Sequence, residues 1–336
     1  MYDFKRIDPT DDDWKAIEAT YDGTVYKTKA WFDYLAYQHC LPFIAKVFQD
    51  SNLIGYFVGA LLKRGVWTLG APLEGVGTGN QGLAMLRETL PPERIEIYKA
   101  LAKWVFKNRY AVWLQVEDWQ LEIYDFEGNE DIMEYHDSSW VDLTADEETM
   151  WRRTSQKSCR YMINKAKKQG VFVREAEDEE SFLNVHFEQH LDVMERKGLS
   201  PLRSKENLRE LIKATYPDKL LLLEAVTSDG KIVGTGMYPV GGGSSCLFMV
   251  AAKQEDLVYC PNEILMWEAL VRCKARGARF FNMNGVMPYK LKYGTLRDFR
   301  PRLVFQKHNG LAVFRKFFKD IYHKLRFSLF KIKEES

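Results

Sequence analysis

The chain is poor in cysteine and shows no pattern in the cysteines it has. Cys40, Cys159, Cys246, Cys260 and Cys273 are the five among 336 residues. They are odd in number, scattered and without CxxC spacing. That excludes a disulfide framework and a zinc site of familiar spacing, and points to reduced thiols in a cytoplasmic protein. An excess of one charge is also missing. Lys and Arg total 48 against 47 Asp and Glu, for a net charge of +1. A general nucleic-acid binder needs more, so DNA is not an expected partner. No apolar run is long enough to span a bilayer. The opening "MYDFKRIDPTDDDW" does not read as a signal peptide. The glycine-rich "GAPLEGVGTGNQG" lacks the Gly-Lys-Ser/Thr ending of a Walker loop. No pattern for a nucleophilic triad is present.

What is there is a globular composition, 46% hydrophobic and 28% charged, long enough for one large or two medium domains. The clearest order lies between Lys219 and Gly294. Residues 220–226 are a continuous apolar run, as expected of a strand buried on both faces. Ser228-Asp229-Gly230 turns into a second strand at 232–240, and a glycine triplet leads to a third at 246–252. Pro261-Asn262-Glu263 opens a helix that Gly277 ends, and 279–283 is a fourth strand. A hairpin followed by a strand–helix–strand crossover is a mixed α/β unit with its ligand crevice at the strand ends.

The first half repeats this pattern. "NLIGYFVGALLKRGVWTLGAP" matches "GKIVGTGMYPVGGGSSCLFMVA" in internal spacing, with Gly55 in the place of Gly234 and Trp67 in that of Cys246. A helix at 91–108 then corresponds to 262–276, and "AVWLQV" to "RFFNMN". Residues 140–143 read as a strand crossing between the halves. Residues 146–170 read as one long basic helix closed by Gly170. Helices at 181–197, capped by Ser181, and 204–216 follow, and 302–306 is a last strand.

The unit at 219–294 resembles the core of a GNAT-type N-acyltransferase. The whole chain resembles the Fem-like, or double-GNAT, superfamily in "VYKTKAWFDYL" with "LIGYFVGALL", in "RRTSQKSCRYMINKAKKQGVFV", and in "PNEILMWEAL…KARGARFFNMNGVMPYKLKYG". The resemblance implies an α/β fold of two tandem GNAT-like lobes, 1–144 and 145–310. Each lobe would be a mixed, mostly antiparallel sheet flanked by helices, and a basic amphipathic C-terminal helix would follow at 311–336. It also implies an acyl donor wedged between splayed strands, its amides on the edge formed by Met249, Val250, Ala251 and Ala252, and its pyrophosphate at the helix start by Asn262. "KQEDLVYCPN" stands where the family has a glycine-rich arginine/glutamine loop.

Amide formation needs a neutral amine, a proton acceptor and a partner for the tetrahedral oxyanion. Lys290, just past a strand end, is the first candidate, as a phosphate or oxyanion partner or else a solvated lysine. Tyr289 would protonate the leaving thiolate or simply pack. Asn282 and Asn284 alternate along a strand rim and would bond a substrate. His186 and His190 stand i, i+4 on one helix face with no third metal ligand apparent. His186 reads as packing and His190 as a candidate base. Glu224, inside an apolar strand, is a candidate base if it reaches the cleft and a structural partner otherwise. Arg153 and Arg160 lie two turns apart, as a seat for a pyrophosphate-bearing acceptor or a solvated face. Trp31 either stacks on a base or sugar or sits in the core.

The expected activity is transfer of an acyl group from acyl-coenzyme A, without metal, to the amine of a nucleotide-linked amino sugar in surface-polysaccharide synthesis, such as that of lipopolysaccharide. One alternative is transfer from aminoacyl-tRNA to a peptidoglycan precursor, the one case in which tRNA is a partner. Another is a non-catalytic binder of a glycan precursor or protein. A homodimer, and membrane contact through the tail, remain open.

Overall fold

The structure is a computed structural model, and it describes residues 1–64, 67–70, 81–129, 132–201, 203–308 and 310. The expected tail helix at 311–336 and most of the glycine-rich stretch lie outside the described residues.

The first half runs β1 (Tyr2–Ile7), α1 (Asp11–Glu18), α2 (Lys29–Tyr37), β2 (Leu41–Gln49), β3 (Asn52–Arg64), β4 (Trp67–Gly70), β5 (Gly82–Met85), α3 (Pro91–Lys107) and β6 (Trp113–Glu117). Local chemistry sets its corners. Thr10 and Asp13 form a reciprocal capping box at the start of α1. Asp50 and Ser51 both take positive φ between β2 and β3, a hairpin geometry that suits the strand twist. Pro91 starts α3 where its missing N–H costs nothing.

The second half runs β7 (Met133–Asp142), α4 (Glu147–Arg153), α5 (Tyr161–Lys168), β8 (Phe172–Glu175), α6 (Glu179–Arg196), α7 (Lys205–Thr215), β9 (Leu220–Val226), β10 (Ile232–Gly241), β11 (Ser244–Cys246), β12 (Met249–Ala251), α8 (Pro261–Ala275), β13 (Phe280–Asn282) and β14 (Leu296–Gln306). Four expectations change. The basic helix at 146–170 is broken. Thr154 turns extended after α4, its hydroxyl bonds Trp151 O, Ser155 N bonds Lys292 O at 2.8 Å, and a π-helical turn leads into α5. The strand at 246–252 is two short strands parted at Leu247-Phe248. Asp178, not Ser181, caps α6. The last strand begins at Leu296, not Arg302.

The strand order is β1-β2-β3-β4-β6-β14-β7-β13-β11-β10-β9-β8. Read from either end, it is one pattern: an antiparallel run of three strands, a short strand, then a parallel crossover neighbour. β4 runs parallel to β6, as β11 does to β13. β5 lies beside β3, as β12 does beside β10. The two halves are therefore tandem lobes of one design, joined by a strand exchange. β7 follows the first lobe in sequence but pairs with β13, and β14 follows the second but pairs with β6. The expected division at 144/145 is thus crossed in both directions.

Apolar burial completes the join. α1 and α2 of the first lobe share one core with α6 and α7 of the second, centred on Trp31, Leu35, Phe182 and Leu208. Across it, Tyr34 Oη donates to Asn207 at 2.9 Å, and Lys219 pairs with Glu18 at 2.7 Å. Separate cores lie under α3 and under α5 with α8.

Candidate active site

β11 and β13 pair from Ser244↔Phe280 to Cys246↔Asn282 and then part. β12 continues on β10 alone among the described residues, through Thr235↔Ala251 to Met237↔Met249. The strands splay where the sequence predicts it. A cavity of about 580 Å³ opens there, at the start of α8.

One wall carries Met249, Val250, Ala252 and Asn262. Ala251, grouped with them from the sequence, is buried in the pairing with β10 and does not line the cavity. Cys260, in a left-handed conformation, precedes α8, and no side chain caps the helix. The charge around the space is unequal. Arg196, Lys197, Arg203, Lys290 and Lys292 line it against one carboxylate, Glu263, which pairs with Lys292 at 2.5 Å. An anionic ligand suits such a field.

His190 lines this cavity from α6 and is 7% exposed. Burial, aided by Lys197 and Arg203, lowers its pKa below the ordinary histidine value, so its ring is neutral at pH 7. Its Nε2 has no hydrogen-bond partner among the described residues. His186 stacks parallel to it, ring centroids 6.4 Å apart. Thr235 Oγ1 donates to Gln189 at 2.6 Å, so it accepts from His186 Nδ1 at 2.8 Å. Burial takes His186 down to about 3. The pair is thus an uncharged stack with one member on the cavity.

Lys290 is neither a solvated lysine nor a free cation. It is 5% exposed, and its Nζ donates to Met283 O and Asn284 O at 2.5 Å and to Gly285 O at 3.4 Å. Those bonds tie down the turn after β13, and burial lowers its pKa. Tyr289 beside it is half-exposed on the cavity, and burial raises its pKa. Asn284 lines the cavity with positive φ and donates Nδ2 to Leu247 O at 2.7 Å, bridging the splay. Asn282 supports it from behind, accepting Asn284 N at 2.8 Å, and is not itself on the cavity.

Four sequence-derived candidates stand elsewhere. Trp31 is fully buried among Tyr26, Tyr34 and Phe248 and has no face for a ligand. Glu224 is buried on β9 against Arg174 Nε at 2.9 Å, away from the cavity. Arg153 pairs with Asp142 at 3.0 Å, and Arg160 lies in the π-helical turn; neither lines the cavity. Sequence reasoning missed Arg203, which lies 4.6 Å above the Phe248 ring on the cavity. Its position just before Ser204, the cap of α7, was the available signal.

Residues 153–291 match the family model described as the Acetyltransferase (GNAT) domain. Among solved structures, FemX superimposes with a TM-score of 0.72 at 11% identity, over 90% of this chain and 97% of that one. A conserved protein of unknown function from Bacteroides thetaiotaomicron gives 0.55 at 12% identity, over 91% and 100%. L-PGS from Bacillus licheniformis gives 0.51 at 13%, over 91% and 94%. No curated protein sequence matches the chain. The second lobe is similar to the GNAT acetyltransferase family over residues 153–291, and the chain as a whole shares the fold of FemX. No helix among the described residues is long and apolar enough to cross a membrane.

Proposed function

We propose that this chain moves an acyl group from a coenzyme A thioester to the amine of a nucleotide-linked amino sugar. The observation that carries the reading is the one-sided strand β12, opening on a cation-lined cavity at the start of α8. An extended pantetheine would add hydrogen bonds from its amides to such an edge, and Lys197 and Arg203 on the same cavity support a seat for an anionic tail. The amine nitrogen attacks the thioester carbonyl, the C–N bond forms, and the neutral imidazole of His190 on the cavity wall takes the amine proton. The C–S bond then breaks, and Tyr289 protonates the leaving thiolate. Lys290 acts in this scheme by fixing the turn that presents Asn284 and Tyr289. The nucleotide on the acceptor is read from the resemblance to the double-GNAT superfamily.

A second reading, with an aminoacyl ester of tRNA as donor, has one observation in its favour. Pro261 removes an N–H from the first turn of α8, and Glu263 brings a carboxylate there. Both weaken a seat for the coenzyme A diphosphate. Calorimetric titration with free coenzyme A separates the readings. Micromolar binding with hydrogen-exchange protection at 249–262 supports the first. Absence of binding, with nucleotide sugars still bound, moves the donor to the second.

A further inference from the structure

Beyond the cations, the cavity has an apolar lining of unusual make-up. Met194, Met249, Met266 and Met283 face it, four of the 11 methionines in 336 residues, where an even spread would place fewer than one. Val193 and Leu257 adjoin them. Met283 and Met266 are buried, while Met194 and Met249 are half-buried. Thioether side chains are flexible and polarizable, and they fit apolar ligands of irregular or variable shape. An acetyl group offers one methyl to such a surface and leaves the rest of it in contact with water.

The charges point the same way. An aminoacyl group carries an α-ammonium, which needs a carboxylate or several carbonyls when desolvated. Glu263 is the one carboxylate among the described lining residues, and Lys292 already neutralises it. The carbonyls of Met283, Asn284 and Gly285 are taken by Lys290, and that of Ala252 by Arg196 at 2.9 Å. No uncompensated carboxylate remains among the described lining residues to receive a second ammonium.

We infer that the transferred acyl group is an uncharged, apolar chain longer than acetyl, seated among Met194, Met249, Met266 and Met283. This rests on the thioester-donor reading for the carrier but makes a separate claim about the acyl chain. The bonds made and broken are those given above.

The test is calorimetric titration of the whole chain with free, acetyl-, butyryl-, hexanoyl- and β-alanyl-coenzyme A. The same acyl groups are then presented as N-acetylcysteamine thioesters, which lack the nucleotide. Each methylene buried is worth roughly fourfold in affinity. Hexanoyl-coenzyme A is therefore expected to bind at least tenfold tighter than acetyl. Butyryl and β-alanyl are isosteric and differ in one ammonium, and butyryl is expected to win by tenfold or more. Val193→Trp, filling the groove from α6, should erase the hexanoyl advantage over acetyl. Equal affinity for acetyl and hexanoyl, or β-alanyl matching butyryl, overturns the inference while leaving coenzyme A as donor. A Val193→Trp protein that keeps the full hexanoyl advantage also overturns the seating. If no coenzyme A compound binds but the cysteamine thioesters show the same ladder, the donor reading falls and the acyl seat stands. If neither series shows the ladder, both fall.

Discussion

The two lobes are built alike, yet the strand edge at the splay is open in one and capped by side chains in the other, where a cavity of about 810 Å³ lies instead at the start of α3, beside Met85, Pro91 and Arg94. β12 in the second lobe pairs with β10, and its other edge faces the cavity. β5 in the first lobe pairs with β3 in the same way, but its other edge is capped by the chain's own side chains. Leu83 N donates to Tyr98 Oη at 3.0 Å, Lys27 Nζ donates to Leu83 O at 2.6 Å, and Met85 N donates to Asp22 at 2.8 Å. Arg94, 2% exposed, holds Asp22 at 3.2 Å and Asp118 at 2.7 Å. Lys27 and Arg203 occupy matching places, each just before the capping residue of the following helix, Thr28 for α2 and Ser204 for α7. One cation plugs its groove; the other stands over Phe248 at the rim of its cavity. The fourth residue of α3 is Arg94, and that of α8 is the buried apolar Ile264. The lesson is that a duplicated lobe can satisfy its strand edge internally, which leaves the edge of β12 as the open one of the pair.

The largest effect should come from breaking the plug. Arg94→Met leaves Asp22 and Asp118, both buried, with Lys27 but without their guanidinium partner, so we expect a loss of about 3–5 kcal/mol in denaturant unfolding. A loss below about 1 kcal/mol would show that the first lobe tolerates an open groove. Coenzyme A binding per folded molecule should not change, because the cavity proposed for the donor lies in the other lobe. Next is the open side. His190→Gln should lower turnover by roughly 100-fold or more, with little change in KM. The rate of the parent enzyme should fall on the acid side through a pKa below 6.5, the direction burial imposes on His190. That limb should vanish in the variant, and its persistence would assign the base elsewhere.

A smaller effect tests the buried cation of the plug. Burial lowers Lys27 to about 8 from its ordinary 10.5, despite Asp22 and Asp118. Between those values the unfolded chain binds more protons than the folded one, so the Lys27 contribution to stability rises with pH across about 8 to 10.5. Buried thiols and phenols oppose this trend above pH 9, since their pKa values are raised. The clean observable is therefore a difference. Parent minus Lys27→Met unfolding free energy should climb by roughly 1–3 kcal/mol from pH 8 to 10. A flat difference would mean that the lysine stays fully charged in its site.

Much of this arrangement was legible beforehand, and the misses have physical causes. The apolar run of β9 and the Pro–Gly punctuation of α8 are local signals, and both elements appear where the sequence put them. The repeat predicted two lobes because spacing survives where identity does not. The crossing strand read at 140–143 is the end of β7, which pairs with β13, but the return exchange was invisible, since β14 carries no mark of which neighbour it chooses. The break after Arg153 was hidden because its cause is tertiary, the bond from Ser155 N to Lys292 O. Lys290 was read as a phosphate or oxyanion partner, or else a solvated lysine, because its actual partners are carbonyls, which no side-chain pattern reveals. Arg94 was the overlooked clue, a charged residue on the same buried helix face as Tyr98 and Leu101.

The finest comparison is between the two glycines that align the repeat. Gly55 and Gly234 match in sequence, but their surroundings differ. A Cβ on Gly55 would stand 2.8 Å from Ala84 O, part of the β5 backbone, and 2.8 Å from the Met85 sulfur. A Cβ on Gly234 would stand 2.7 Å from Pro261 Cβ and 3.2 Å from a Leu265 methyl. Gly55→Ala must therefore push β5 off β3 and disturb the plug, an expected cost of about 1–3 kcal/mol. Gly234→Ala pushes on the rigid ring that begins α8, moving the helix start that borders the donor cavity. Its stability loss should be similar or smaller, but coenzyme A should bind a few-fold more weakly, whereas Gly55→Ala should leave that affinity unchanged. Paired thermal unfolding and calorimetric titration of the two variants would read both quantities. Equal loss of affinity in the two would mean that the lobes communicate through the shared helical core, and the division into a capped lobe and an open one would have to be given up.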